Sequence, residues 1–455
     1  MCLRERGRMY DKTDRLSNEA ALRKGNSLKQ AAKYLSKPGL ISLGGGLPTD
    51  EYFPFSELHV RVPTVGNFSD AETQANGTTL VSGKHDLAAG TSLFDISTAF
   101  NYGQGTGAAQ LLRWVVEHIE LVHDPLYADW SCTLTVGSSS GLDMLLRMLA
   151  RPGDVLLTEE YTFSTAVETA RPMGIHVVGV AMDEQGLKPD TLDDMLLNWD
   201  ARERRCRKPA LLYTVPTGQN PTGATQDEQR RRWLYEVARK HDLLIIEDEP
   251  YYFLQMPPYG SPGDQQEQSF SSDINDYGVT PSSDADSIDY CSVTHHHILS
   301  DILPTLPITP DLNTNTNTNA KTTTTTAHRR QSFLSSLVPS LLHIDTDGRV
   351  LRLDSFSKVI SPGLRVGFLT GPEQLISCYV RHADVSAQCP AGPSQLLLFK
   401  LLDEHWGHAG YFDWLMWLRE QYTRRRDVIL RACEEFLPRE VCSWKPPMAG
   451  MFVSS

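Results

Sequence analysis

The sequence contains no apolar run that approaches the roughly 20 residues of a membrane-spanning helix. Its opening stretch also lacks the apolar core of a signal peptide. The eight cysteines are scattered without short paired spacing, which argues against a disulfide framework and a zinc site. The formal net charge of -13 gives no basic excess for nucleic acid or anionic membranes. These absences favour a cytoplasmic protein that binds small molecules, with no nucleic acid and no membrane as partner.

The sequence does contain enough apolar residues for more than one domain, with 40% of 455 residues hydrophobic. From residue 93 to about 253, strand-like runs alternate with helix-like ones, which predicts an α/β fold with a mainly parallel sheet. A milder Gly-, Thr-, Ser- and Asp-rich stretch, residues 60–92, is predicted to be an ordered surface excursion.

Residues 257–331 form a low-complexity tract that includes NTNTNTNAKTTTTTAH. It has too few apolar residues to bury a core, so we predict a disordered insert. Three histidines at 295–297 could bind a metal, but they lie in a polar, irregular stretch, and we predict no metal site. After about residue 372 the pattern turns helical, and the sequence stops where an apolar strand begins.

The stretch CTLTVGSSSGLDMLLRMLARPGD passes from a strand through a glycine–serine turn into a helix. Leucines at 142, 145, 146 and 149 share one helical face, which predicts a helix start near Ser140. Free backbone N–H groups, the positive end of the helix dipole and the hydroxyls of Ser138 and Ser139 would then meet at one point. Such a point is a phosphate cradle, although an ordinary serine cap is the alternative.

A strand–helix–strand unit comes next, with predicted strands at 211–215 and 243–247 and a capping box of Thr225 and Glu228 between them. A crossover of this length makes the two strands parallel, so Asn220 and Asp248 emerge together near their carboxyl ends. Asp248 stands after the buried run LLII, and a carboxylate there needs a cationic partner. The alternatives are a salt-bridged or capping aspartate and an ordinary turn asparagine.

The stretch LRLDSFSKVISPGLRVGF places Lys358 on a short connection between two strand-like runs, seven residues before Arg365. A lysine in a confined site can act as a Schiff-base amine or a base, whereas a solvated turn lysine is the alternative. Taken together, the amine, the cradle and the buried carboxylate suit one ligand. Pyridoxal 5'-phosphate (PLP) has the required aldehyde, phosphate, ring hydroxyl and protonatable ring nitrogen.

With these motifs the chain resembles the fold type I PLP-dependent aminotransferases, and specifically the fungal aromatic-amino-acid aminotransferase group, which is related to kynurenine/aminoadipate aminotransferases. The resemblance runs from about residue 25 to residue 453 and is carried by these segments: KYLSKPGLISLGGGLPTDEYFPF, GKHDLAAGTSLFDISTAFNYGQGTGAAQLLRWVVEH, PTGQNPTG, IIEDEPYYFLQM and LDSFSKVISPGLRVGF.

The resemblance implies a role for each matched residue. Lys358 would form the Schiff base and move the substrate proton, Asp248 would pair with the ring nitrogen, and Tyr161 would stack on the ring. Asn220 and Tyr251 would contact the ring hydroxyl.

The phosphate would be held by Ser138, Ser139, Ser355 and Arg365, with Tyr102 reaching the phosphate of the neighbouring subunit in a homodimer. A packed core tyrosine is the alternative for Tyr102. Gly45, Gly46 and Asn220 would line the substrate side.

The resemblance also implies a domain order. Residues 1–60 would form an N-terminal arm and substrate-side segment, residues 61–375 the large PLP-binding domain, and residues 376–455 a smaller domain that we expect to be C-terminally truncated. The implied reaction is transfer of an amino group from an aromatic or aminoadipate-like amino acid to a 2-oxo acid such as 2-oxoglutarate, with ping-pong kinetics. The alternatives are a different PLP reaction, such as decarboxylation or C–S lysis, and a degenerate homologue that binds PLP with little activity.

Overall fold

The computed structural model describes residues 12–27, 29, 39, 46–260 and 318–453. Its centre is a seven-stranded sheet formed by β3 (Trp130–Thr135), β4 (Val155–Glu159), β5 (His176–Val180), β8 (Leu211–Thr214), β9 (Leu244–Asp248), β10 (Val350–Ser355) and β11 (Gly367–Pro372). The strands lie in the order β3-β11-β10-β9-β8-β4-β5. Within this sheet only β11 runs against its neighbours β10 and β3, so the predicted mainly parallel sheet is confirmed.

Helices cover both faces of the sheet because its strands are apolar on both sides. The helices are α1 (Asn18–Leu22), α2 (Asp70–Asn76), α3 (Asp86–Ala89), α4 (Ile96–Ala99), α5 (Ala109–Val122), α6 (Gly137–Leu149), α7 (Ser164–Ala170), α8 (Pro189–Leu197), α9 (Glu228–His241), α10 (Thr318–Ser336), α11 (Leu341–Ile344), α12 (Glu373–Ala383), α13 (Gly392–Phe399) and α14 (Gly407–Phe436). Of these, α5, α9 and α14 pack in one apolar core, and α6, α7 and α12 in the other.

The Gly- and Ser-rich stretch after residue 60 is ordered, as predicted. The strands β1 (Glu57–Val62) and β2 (Thr78–Gly83) pair antiparallel, and α2 lies between them. A smaller pair, β6 (Met182–Asp183) and β7 (Gly186–Leu187), leads into α8. Both pairs lie outside the central sheet.

The last part of the predicted disordered insert is a helix in the structure. Residues 261–317, with the histidines at 295–297, lie outside the described residues, but α10 begins at Thr318 and runs past the expected boundary at 331. Arg330 of this helix makes a two-pronged ion pair with Asp413, with N–O distances of 2.8 and 2.7 Å. Phe333 and Leu337 are buried in the core. Arg330 stands at the C-terminal end of the tract and the two buried residues follow it, so the polar composition of the tract gives no sign of this anchor.

Two predicted helix starts are wrong. The helix α6 begins at Gly137 and not near Ser140, because a positive φ at this glycine lets the chain turn directly from β3 into the helix. The helix α9 is capped by Asp227, whose carboxylate accepts from the Arg230 N–H at 2.7 Å. Thr225 instead accepts from the Gly218 N–H at 3.0 Å, so it does not form the predicted capping box.

None of the helices in the described ranges has both the length and the apolar character that crossing a membrane requires. In the same ranges, no cluster of three His, Cys, Asp or Glu side chains is placed to hold a metal ion.

Candidate active site

A cavity of about 230 Å³ opens at the edge of the sheet where its parallel strands end. The chain reaches this edge repeatedly, after β3, β4, β8, β9 and β10 and again just before β11. Most of the predicted site residues meet here. The residues that line the cavity are Ser138, Ser139, Phe163, Tyr213, Val215, Asn220, Asp248, Pro250, Tyr251, Ser355, Ser357, Lys358, Pro362, Arg365 and Phe452.

One end of the cavity has the features of an anion site. The N-terminus of α6 brings Ser138 and Ser139 to it. The Arg365 guanidinium lies so close to Gly137 that a Cβ on this glycine would overlap it. Arg365 also donates to Ser357 Oγ at 3.2 Å, and Ser355 Oγ donates to the same hydroxyl at 2.9 Å. A helix N-terminus, several hydroxyls and a guanidinium suit a phosphate.

Asp248 ends β9 inside the cavity and is 5% exposed. Its Oδ2 accepts a hydrogen bond of 2.8 Å from the Tyr213 hydroxyl, whereas its buried Oδ1 has no partner in the part of the chain that is described. Burial raises the pKa of Asp248 to about 6, although the Tyr213 hydrogen bond favours the ionised form. A cationic ligand group at Oδ1 would satisfy this oxygen and keep the carboxylate ionised.

Asn220 and Tyr251 line the same cavity as Asp248, on the loops after β8 and β9. Burial raises the pKa of Tyr251 to about 12, and the Asn220 side chain acts against this by hydrogen bonding. The Phe452 ring packs edge-on against Tyr251, with ring centroids 5.7 Å apart. Lys358 lies in the turn between β10 and β11, as predicted. The cavity therefore combines an amine, a buried carboxylate and neutral donors around one ring-sized space.

Three of the predicted residues that the structure describes do not line this cavity. Tyr161 is 60% exposed, and its carbonyl accepts a 2.5 Å hydrogen bond from the Gln219 side chain. Tyr102 is 68% exposed, which contradicts the alternative of a packed core tyrosine. Gly46 is exposed outside the cavity, and Gly45 lies outside the described residues.

Seven lining residues are not among the predicted site residues, and Phe163, Tyr213 and Ser357 are the three of them to which we assign a role in the site. Tyr213 lies on the same strand face as Asp248, because β8 and β9 pair in parallel with Tyr213 opposite Ile246. Strand alternation could have revealed it. Phe163 stands four residues after β4, and no sequence signal distinguishes it from Tyr161, two residues earlier in the same turn. Ser357 stands in the hydroxyl-rich stretch around Lys358. The serines there indicate an anion site, but the sequence does not show which of them line the cavity.

This fold and site define a class of protein, the PLP-dependent transferases of fold type I. The family model described as "Aminotransferase class I and II" matches residues 71–258. An aromatic amino acid aminotransferase of Schizosaccharomyces pombe is 36% identical over 447 residues, which cover 97% of this chain and 81% of the relative. An L-tyrosine:2-oxoglutarate aminotransferase of Serpula lacrymans is 32% identical, with 97% of this chain and 74% of the relative covered.

The crystal structure of aminotransferase Aro8 from Candida albicans superimposes with a TM-score of 0.78 at 36% identity, and the match covers 98% of this chain and 80% of that one. The chain therefore belongs to the class I and II aminotransferases. The resemblance to the fungal aromatic-amino-acid group is confirmed by these comparisons.

Proposed function

We propose that this aminotransferase binds PLP in the cavity at the sheet edge and transfers the amino group of an aromatic amino acid to 2-oxoglutarate. The observation that carries the cofactor assignment is Asp248, a buried carboxylate with one oxygen free, in the same cavity as Lys358 and the anion site. When bound, PLP supplies an aldehyde that takes up amino groups and a cationic ring that accepts electron density.

Each residue of the cavity then has a defined task. Lys358 Nζ would be the amine that holds the cofactor aldehyde and, when it is a free amine, the base that accepts and donates the substrate Cα proton. Asp248 Oδ1 would accept a hydrogen bond from the protonated ring nitrogen and so keep that nitrogen protonated. Arg365 and the surrounding serines hold the phosphate, while Asn220 and Tyr251 orient the ring through its hydroxyl.

The stacking role that the resemblance assigned to Tyr161 passes to Phe163 in this proposal. Phe163 lines the cavity and Tyr161 does not. An aromatic face against the cofactor ring limits its tilt, which is the positioning that proton transfer by Lys358 needs.

The substrate assignment rests on the names of the relatives, one an aromatic amino acid aminotransferase and one an L-tyrosine:2-oxoglutarate aminotransferase. We also propose a homodimer in which the exposed Tyr102 reaches the partner's phosphate site, since its ring lies outside the cavity of its own chain. The alternative, a homologue that binds PLP with little activity, would also keep Lys358, Asp248 and Arg365 along one cavity, so the turnover measurement below separates it from an active enzyme.

The test is in two parts. Protein loaded with PLP should show a visible absorption band, and borohydride should fix the cofactor on Lys358, as located by peptide mass mapping. A label on another residue would refute the cofactor site. With phenylalanine and 2-oxoglutarate, we expect phenylpyruvate and glutamate in equal amounts and parallel lines in double-reciprocal plots. Carbon dioxide with an amine product would instead indicate the decarboxylation alternative.

A further inference from the structure

The side chain of Arg231 makes three hydrogen bonds in the interior, next to the cavity but not in it. Arg231 is 0% exposed on α9. Its Nη2 donates to Thr217 Oγ1 at 2.7 Å, its Nη1 to Glu249 Oε1 at 3.2 Å and its Nε to the Gln226 carbonyl at 3.2 Å. Thr217 Oγ1 in turn donates to Glu249 Oε1 at 2.9 Å. We call Arg231, Glu249 and Thr217 the buried triad.

The buried triad joins the two chain segments that carry the ring-binding residues. Thr217 and Gln226 stand near the two ends of the loop that contains Asn220, and the Gln226 N–H donates to the Pro216 carbonyl at 2.8 Å to close that loop. Glu249 is the residue directly after Asp248, and its own N–H donates to the Leu353 carbonyl of β10 at 2.9 Å. One guanidinium therefore holds the base of the Asn220 loop against the end of β9.

We infer that the buried triad positions Asn220 relative to Asp248, and so sets how the cofactor ring is held, without touching the cofactor itself. This inference rests on the proposed PLP site. None of the three side chains lines the cavity, so they are positioning residues. A loop that drifts by a fraction of an ångström would separate two groups that must contact the same ring together.

The shape of the guanidinium matters as much as its charge. Its three acceptors belong to three different residues, and only a planar fork can reach all of them at once. A lysine would keep the positive charge beside Glu249 but could not hold both Thr217 and the Gln226 carbonyl in the same geometry. Charge and geometry can therefore be separated by substitution.

A purely structural ion pair is the competing explanation, because losing one partner of a buried pair destabilises any fold. The two explanations predict different relations between cofactor affinity and stability. If the buried triad only stabilises, cofactor affinity will change in step with the melting temperature. If it positions the loops, affinity will fall even in a variant whose stability is restored.

The first experiment removes one hydroxyl. Thr217→Val keeps the shape of the side chain but breaks two hydrogen bonds, whereas Thr217→Ser keeps the hydroxyl. Tyr235→Phe is the matched control, because Tyr235 lies one turn along the same helix as Arg231 and donates a buried 2.8 Å hydrogen bond to Asp345, outside the cavity. We expect Thr217→Val to weaken binding of PLP and of pyridoxamine 5'-phosphate about tenfold, with Thr217→Ser and Tyr235→Phe within twofold of wild type.

The second experiment compares Arg231→Met with Arg231→Lys by thermal melting and by titration with the same two ligands. We expect the lysine to regain most of the melting temperature lost in the methionine variant while binding stays at least tenfold weaker than in wild type. Wild-type affinity in Thr217→Val, or affinity that recovers with stability in Arg231→Lys, would overturn the positioning role. Failure of the wild-type protein to bind either ligand would instead refute the proposed cofactor site, and this inference with it.

Discussion

The hydroxyl of Tyr213 donates a 2.8 Å hydrogen bond to Asp248 Oδ2, with both side chains buried beneath the cavity. This leaves Oδ1 as the oxygen that faces a ligand. A hydrogen bond to a charged acceptor is worth roughly 1.5–3 kcal/mol, so Tyr213 favours the ionised carboxylate against the cost of burial. The pair accounts for a carboxyl that is buried and yet suited to hold a cation.

Replacing Tyr213 by Phe should therefore raise the pKa of Asp248 further and weaken the hold on a cationic ring. We expect about tenfold weaker binding of pyridoxamine 5'-phosphate at pH 7. The increase of affinity with pH should occur at a higher pH than in the wild type. This ligand has no aldehyde, so its titration reports the ring and phosphate contacts without the bond to Lys358. Unchanged affinity across pH 5 to 8 would show that Tyr213 has only a packing role.

Asp248 itself should make stability and binding respond to pH in opposite ways. Its pKa in the folded chain is raised to about 6 from 3.8. At a pH below the pKa of the unfolded chain, the raised pKa costs no folding stability. The loss of stability grows as the pH rises from about 4 and is complete above about 6. At pH 7 it amounts to at most about 3 kcal/mol, from 1.36 kcal/mol per pKa unit.

Asp248→Asn should consequently melt above the wild type at pH 7 in the absence of cofactor, with the difference shrinking towards pH 4. The same variant should bind pyridoxamine 5'-phosphate far more weakly, and its affinity should lose the increase that the wild type shows between pH 5 and 7. Glu159 also titrates near 7 because burial raises its pKa, so Glu159→Gln serves as the control for other buried carboxyls. An equal melting difference at pH 4 and pH 7 would contradict this account.

Several of the predicted site residues that share the cavity stand at strand ends. Asp248 comes after an apolar run and Lys358 after a strand-like one, and parallel pairing brings such ends to one edge. The residues that were missed or misplaced depend on geometry that the pattern does not encode. The choice between Tyr161 and Phe163 is decided by the path of a turn after β4. The start of α6 is decided by the positive φ of Gly137, which a leucine periodicity that begins at Leu142 cannot detect.

The choice between Phe163 and Tyr161 leads to a direct test. Phe163→Ala should weaken binding of PLP about tenfold, because a cavity-lining ring loses both its apolar contact and its stacking geometry. Tyr161→Ala should change affinity less than twofold, since its side chain is largely exposed. Phe163→Tyr, which keeps the aromatic face, should bind nearly as well as the wild type. The reverse order of effects would restore the role that the sequence resemblance gave to Tyr161.

The contact between Arg365 and Gly137 predicts how the phosphate is recognised. Arg365→Ala should lower the affinity for PLP at least tenfold and leave that for pyridoxal, which has no phosphate, almost unchanged, because a charge-assisted hydrogen bond to phosphate is lost. Gly137→Ala should act in the same direction with the charge still present, since its Cβ would overlap the guanidinium at a positive φ that disfavours alanine.

The matched control for the glycine substitution is Gly363→Ala, in the neighbouring turn Pro362–Leu364, where a Cβ would have nothing within 4 Å. In Gly363→Ala, the ratio of the affinity for PLP to the affinity for pyridoxal should equal the wild-type ratio, as measured by absorption titration with both ligands. If Gly137→Ala keeps the wild-type ratio as well, then the guanidinium can move away from the α6 terminus without loss. The phosphate would in that case be held by the helix N–H groups and serines alone, and Arg365 would have no part in selecting the phosphorylated ligand.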